Sequence, residues 1–411
     1  MAMKVSPLAP RVFSALPPMA GVELAGAVCG LKASGRPDLF VARLAPGATV
    51  AGAFTRSLCP SAPVDWCRAI LKHGRARAIV VNSGNANAFT GKAGDRTVEH
   101  TVAAAAKLVG CRRDEVYIAS TGVIGVPVPQ DYIASKLPGM MKRLSPGGWD
   151  DAAQAIMTTD TFPKTAIRAA RIGGTEVTIA GIAKGSGMIA PDMATMLGFL
   201  FTDAKIPAPV LQKLLTRAVD DSFNAVTVDG DTSTSDTVLL CATGQGPKHP
   251  RVADAADPNL RDFRRALTEL AQDLAIQIVR DGEGAQKLVT IEVTGAASRR
   301  AARRIGLSIG NSPLVKTALA GGDPNWGRIV MAVGKAGEKA DRDLLSVFIG
   351  GVKVTENGQL RADYDETAAE AHMAGCDIRI GVDLGIGRGK STVWTCDLTH
   401  GYIDINADYR T

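Results

Sequence analysis

The segment Ala183-Lys184-Gly185-Ser186-Gly187-Met188-Ile189-Ala190-Pro191-Asp192-Met193-Ala194-Thr195-Met196-Leu197-Gly198 constrains this chain more than any other. It bears glycines, is nearly uncharged, and follows directly on two strand-like stretches, 169–174 and 176–183. A loop of that kind needs a rigid scaffold on either side, and the apolar run Met196-Leu197-Gly198-Phe199-Leu200 leads the chain back into a core. Within it, Thr195 follows the small residue Ala194 and stands eleven positions after Lys184. A threonine hydroxyl is a weak nucleophile unless a base lies beside it. Cutting the Ala194–Thr195 bond would supply one, because it frees the α-amine of Thr195 itself. On chemistry alone the plainer reading of Thr195 is a buried threonine.

Around this loop the organisation is mixed. Residues 78–82 and 116–119 read as buried strands, each ending in a glycine-containing turn. Between them Thr97 to Val109 fits a helix, with Val98, Val102 and Val109 near one face and Gly110 as its stop. Leu260, Phe263, Leu267, Leu270, Leu274 and Ile278 recur at spacings of three and four, which predicts an amphipathic helix after Pro258 ending near Gly282. A strand at Leu288 to Val293 follows, and 345–349, 352–354 and 391–396 alternate like strands of a second, smaller sheet. Strands and helices without regular alternation predict an α+β fold. The expected division is 1–204, 205–285 as an α+β lobe, and 286–411 as a C-terminal α+β domain.

Composition removes several classes of function. With 46% hydrophobic and 21% charged residues, the chain is not disordered. Its 44 glycines point to many tight turns and backbone-lined loops. The net charge of +6 is spread out. The one basic cluster, Arg299, Arg300, Arg303 and Arg304, lacks neighbouring aromatics, so it reads as a solvated helix face rather than a nucleic-acid site. Seven cysteines without a CxxC pair support neither a disulfide framework nor a zinc site, and they suggest a reducing cytoplasm. The run Asp229, Asp231 and Asp236 lacks the glutamate of a calcium loop and reads as a polar turn. Gly185-Ser186-Gly187 is too short for a phosphate-binding loop. No metal is expected. Neither a signal peptide nor a membrane span is recognisable, since the longest apolar stretch, Met188 to Phe201, is broken at Pro191 and Asp192 and is shorter than the roughly 20 residues a span needs.

Seven strings, taken in order, carry a resemblance. They are Val81-Asn82-Ser83-Gly84-Asn85-Ala86-Asn87-Ala88, Ser120-Thr121-Gly122-Val123-Ile124-Gly125, Met157-Thr158-Thr159-Asp160-Thr161, Val228-Asp229-Gly230-Asp231-Thr232-Ser233-Thr234-Ser235-Asp236, Asp281-Gly282-Glu283-Gly284-Ala285, Gly321-Gly322-Asp323-Pro324-Asn325-Trp326-Gly327-Arg328 and Ile405-Asn406-Ala407-Asp408-Tyr409-Arg410-Thr411. With the loop at 183–198 they span nearly the whole chain, which resembles the ornithine acetyltransferase family, also called glutamate N-acetyltransferase. Phe89, where many relatives carry cysteine, and Asp192, at a variable position, are departures without evident consequence.

The resemblance implies a layered α/β/β/α core, as in aminopeptidase-like folds, with additional α+β lobes. It implies cleavage after Ala194, Thr195 as nucleophile, and Thr121 and Gly122 as the oxyanion pair. Thr158, Lys184, Thr195, Glu283, Asn406 and Thr411 become substrate-binding positions. Lys184 suits an α-carboxylate and Glu283 a side-chain ammonium. The implied reaction moves acetyl from N-acetylornithine to Thr195 and on to glutamate, within arginine biosynthesis and without organic cofactor or metal. Acetyl-CoA stays open as a second donor, since the family's motifs do not distinguish members that use it. The implied assembly is an α2β2 heterotetramer of chains 1–194 and 195–411 in the cytoplasm. Two other readings compete: an autoproteolytic amidase or aminopeptidase, in which water takes the acyl group, and a non-catalytic amino-acid-binding protein.

Overall fold

The structure is a computed structural model that describes residues 4–13, 15–190 and 196–407. Two sheets face each other at its centre. Their strands along the chain are β1 (Val22–Ala27), β2 (Leu39–Leu44), β3 (Thr49–Phe54), β4 (Ala78–Asn85), β5 (Val116–Val123), β6 (Lys164–Ile172), β7 (Thr175–Lys184), β8 (Leu197–Thr202) and β9 (Thr237–Ala242). The first sheet runs β1-β2-β4-β5, antiparallel except for the parallel β4–β5 pair. The second runs β3-β9-β8-β7-β6, with β8 and β9 parallel.

Period-two geometry explains how each sheet is used. Successive side chains of a strand point to opposite faces. In β2, Phe40, Ala42 and Leu44 enter the core between the sheets, whereas Leu39 and Val41 join the core on the outer side. From the second sheet, Phe199, Phe201, Ala180 and Ile182 enter the same central core. Phe40 meets Phe199 edge-on across the gap, with ring centroids 5.4 Å apart. Both outer faces are covered by helices. Gly91–Val109 and Tyr132–Met141 pack on the first sheet. Ala208–Asp220 and Arg261–Arg280 pack on the second. The result is the expected helix-sheet-sheet-helix stack. The segment 205–285, expected as a lobe, supplies strand β9 and both helices of this last layer.

A third sheet forms from β10 (Leu288–Ala296), β11 (Ser346–Ile349), β12 (Val352–Lys353), β15 (Asp377–Asp383) and β16 (Gly389–Cys396), beside the hairpin of β13 (Thr355–Glu356) and β14 (Gln359–Leu360). Its core includes one face of the helix Arg299–Gly310, and three arginines outside that face pair with carboxylates: Arg303 with Asp220, Arg304 with Glu338 and Arg299 with Asp221. The basic cluster therefore lies on an outward helix face, as expected, with three of its four arginines paired to carboxylates. Among the described residues no helix is long and apolar enough to cross a membrane, and no cluster of metal-ligating side chains occurs.

Candidate active site

The site lies where several chain segments converge near the ends of β5 and β7. On β5, Thr121 is buried, and the next residue, Gly122, has φ +129°. A side chain at Gly122 would run into the backbone of Gly84 and Asn85 on the neighbouring strand, so glycine is required by both torsion and space. β4 and β5 lose regular register here, which turns their ends into an irregular rim instead of a continuous ladder.

A cavity of about 110 Å³ opens beside this rim. Thr121, Gly122, Thr158, Glu283 and Asn406 all line it, with Thr159, Gly187 and the Ser233–Ser235 turn completing the polar wall. Sequence positions 285 apart are thus brought to one small space. Lys184 stands one hydrogen bond behind the wall. The residue is 1% exposed, and its ammonium donates to Thr121 Oγ1 at 3.2 Å. A lysine ammonium can only donate, so Thr121 Oγ1 is the acceptor and its own hydrogen is directed elsewhere. Burial pushes the Lys184 ammonium down from its ordinary range, against the opposing pull of Asp160.

Glu283 is set just beyond the helix Arg261–Arg280. Asn406 Nδ2, on the helix His400–Asn406, donates to its Oε2 at 2.7 Å, and Thr159 also hydrogen-bonds its carboxylate. The carboxylate lies flat against Gly187, where any side chain would collide with it. Burial raises the Glu283 carboxyl above its usual range, while the Asn406 and Thr159 hydrogen bonds oppose the rise.

Ala194 and Thr195 (within 191–195) and Thr411 (within 408–411) lie outside the described residues. The residues that flank the loop are well anchored. Asp229 accepts from the backbone N–H of Met188 (2.6 Å) and Ile189 (2.9 Å). Asp236 Oδ1 accepts from Met196 N–H at 2.8 Å. The acidic run read as a polar turn therefore clasps both sides of the loop. Asp160, inside a string already singled out, accepts from Thr158 N–H at 2.9 Å and Gly185 N–H at 2.7 Å. These three aspartates were missed as functional positions, because only tertiary contacts reveal which backbone amides they receive.

Layered fold and polar cavity together define a class: an α/β/β/α protein with a hydroxyl- and amide-lined pocket under a glycine-bearing loop. The ArgJ family model matches residues 23–411. "Arginine biosynthesis bifunctional protein ArgJ" of Brucella suis biovar 1 is 56% identical over 413 residues, covering all of both chains. The protein of the same name from Mesorhizobium japonicum is 55% identical, again over the full length of both. Among solved structures, "Arginine biosynthesis bifunctional protein argJ" of Bacillus halodurans matches with a TM-score of 0.50 and 40% identity, covering 52% of this chain and all of that one. The chain belongs to the ArgJ family.

Proposed function

We propose that this protein carries acetyl from N-acetylornithine to glutamate through an acetyl-threonine at Thr195, as an enzyme of arginine biosynthesis. The observation that carries this reading is the single cavity shared by Thr121, Gly122, Thr158, Glu283 and Asn406, together with family membership along residues 23–411.

The chemistry begins with the chain itself. Thr195 Oγ attacks the Ala194 carbonyl carbon, the C–N bond breaks as the nitrogen takes a proton, and water hydrolyses the resulting ester. The freed α-amine, with an ordinary pKa of about 7.7–8.0, is partly unprotonated near neutrality and serves as base to its own hydroxyl. Thr195 Oγ next attacks the acetyl carbonyl of N-acetylornithine. The oxyanion that develops is received by the Thr121 hydroxyl and the Gly122 N–H, donors of the kind that supply the largest electrostatic share in acyl transfer. Lys184, donating to Thr121 Oγ1, turns that hydroxyl's hydrogen towards the substrate and places positive charge beside the α-carboxylate. Ornithine departs with the proton. Glutamate then attacks the acetyl-threonine with its amine, the ester C–O bond breaks as Thr195 Oγ takes back the proton that the amine gives up through the α-amine of Thr195, and the same donors serve this half-reaction. Glu283 pairs with the ornithine ammonium.

Thr195→Ala tests the reading. The wild type should show two chains on a denaturing gel and one peak in native gel filtration, the second chain beginning at Thr195. The variant should stay as one chain and lose acetylornithine-dependent acetylation of glutamate. Processing of the alanine variant at the same bond would sink the proposal.

A further inference from the structure

Beneath the cavity lies a buried ion triad that the reaction above leaves without a task. Lys164, at the start of β6, places Nζ 2.7 Å from Asp160 Oδ1 and 2.6 Å from Asp281 Oδ2, with all three side chains fully buried. Its remaining donor goes to the Phe162 carbonyl at 3.2 Å, so every N–H has an acceptor. Buried ion triads are poor stabilisers, because apolar residues of the same volume often hold a core as well or better. Retaining one calls for another explanation, and its connections supply it.

Each end of the triad reaches a segment that lines the cavity or carries Lys184. Asp160 receives the Thr158 N–H through Oδ2 and the Gly185 N–H, next to Lys184, through Oδ1. Asp281 receives the Thr161 N–H at 2.9 Å and the Thr161 hydroxyl, and it stands two residues before Glu283. Glu283 N–H in turn donates to Ser186 O at 3.0 Å, and Ser186 Oγ lies 2.6 Å from Thr159 Oγ1. Arg36 closes the frame from outside by donating to the Thr158 carbonyl at 3.3 Å.

We propose that the Asp160–Lys164–Asp281 triad is a positioning device that holds the Thr158, Lys184 and Glu283 segments in one frame, so that both substrates meet a preset site. The proposal rests on the substrate roles given above. It gives Asp160 a second consequence, since its carboxylate also sets the charge felt by Lys184. The other charges facing Lys184 are Asp236, Glu283 and Lys164, with Lys32 beyond them.

Asp160→Asn is the decisive variant. Its amide oxygen can still accept from Lys164 and Gly185, while the Thr158 bond and the negative charge are lost. Processing should remain complete. KM for acetylornithine and for glutamate should each rise about tenfold, roughly one lost hydrogen bond to a charged group, with kcat changed less than about threefold. The alkaline fall in affinity for both substrates should also move to lower pH, because Lys184 loses a carboxylate that favours its charged form. A variant with a lower melting temperature but wild-type KM values and alkaline limb would overturn the proposal. Should Asp160→Asn fail to fold, Asp281→Asn decides: acetylornithine KM should rise through a displaced Glu283 while the alkaline limb stays, and unchanged KM values would overturn it. Calorimetric binding of ornithine and glutamate to the same proteins separates the two proposals. Wild-type protein that binds both but transfers no acetyl group would sink the acyl-transfer reading, and the affinities would still judge the triad.

Discussion

In the proposed reaction Glu283 faces two substrates whose side chains carry opposite charge. Burial holds its carboxyl above the ordinary range, while Asn406 and Thr159 keep it oriented. Only the ionised form pairs with an ammonium. As pH falls through the raised pKa, Glu283 gains a proton, so acetylornithine recognition should be lost at a pH above that of an ordinary carboxylate, and glutamate recognition should not be lost with it. Measured as kcat/KM against pH, the two substrates should have separate acid limbs, and superimposed limbs would count against the assignment. Glu283→Gln should raise acetylornithine KM by about ten- to hundredfold, the loss of a charge-assisted bond, and leave glutamate KM closer to wild type. At this scale the sequence was legible only through the family's strings. Thr121 and Asn406 have no local pattern linking them, and the cavity they share is a product of tertiary folding. Asp160, Asp229 and Asp236 stood in those strings too, yet each also receives a backbone N–H from the segment around 185–196, which no spacing encodes.

Elements with a clear apolar period, or a short apolar run closed by a glycine turn, were the readable ones. The helix Arg261–Arg280 follows the apolar spacing closely, and the expected strand pair is found as β6–β7, with β6 beginning five residues earlier than expected and Gly173-Gly174 forming the turn. Strands β1 to β3 were not singled out. β2 is buried on both faces, between the central core and the outer helices, and such a strand loses the alternation that marks a half-exposed one. The helix Gly91–Val109 begins six residues before its expected start at Thr97. Gly91 and Gly94 obscure that first turn, and Gly94 is glycine because Thr90 and Asn87 crowd it. The two central sheets depend on their shared apolar layer, where Phe199 is fully buried against Phe40. Phe199→Ala should cost about 3–5 kcal/mol, read from chemical unfolding in the uncut Thr195→Ala background where a single chain is followed. A loss below about 1 kcal/mol would mean that the layer repacks around the gap.

Across the whole molecule, the order β3-β9-β8-β7-β6 interleaves what come before and after Thr195. Strands β8 and β9 belong to the later part and lie between β3 and β7 of the earlier one. Lys184 pairs with Leu197 across β7 and β8, so before any cut these strands are the two arms of one hairpin, and closing it is an intramolecular event. A short tether gives such partners an effective concentration in the millimolar range. Once the tether is severed, the same pairing must find its partner in solution, at the concentration of the protein itself. The folded molecule would then carry a history: it can be assembled readily from the intact chain, but not from its own pieces. Diluted from denaturant at about micromolar concentration, the uncut Thr195→Ala protein should regain native gel-filtration behaviour and circular dichroism, whereas the processed protein should recover poorly and better as concentration rises. Equal recovery at all concentrations would show that the interleaved strands reassemble without the covalent link that first brought them together.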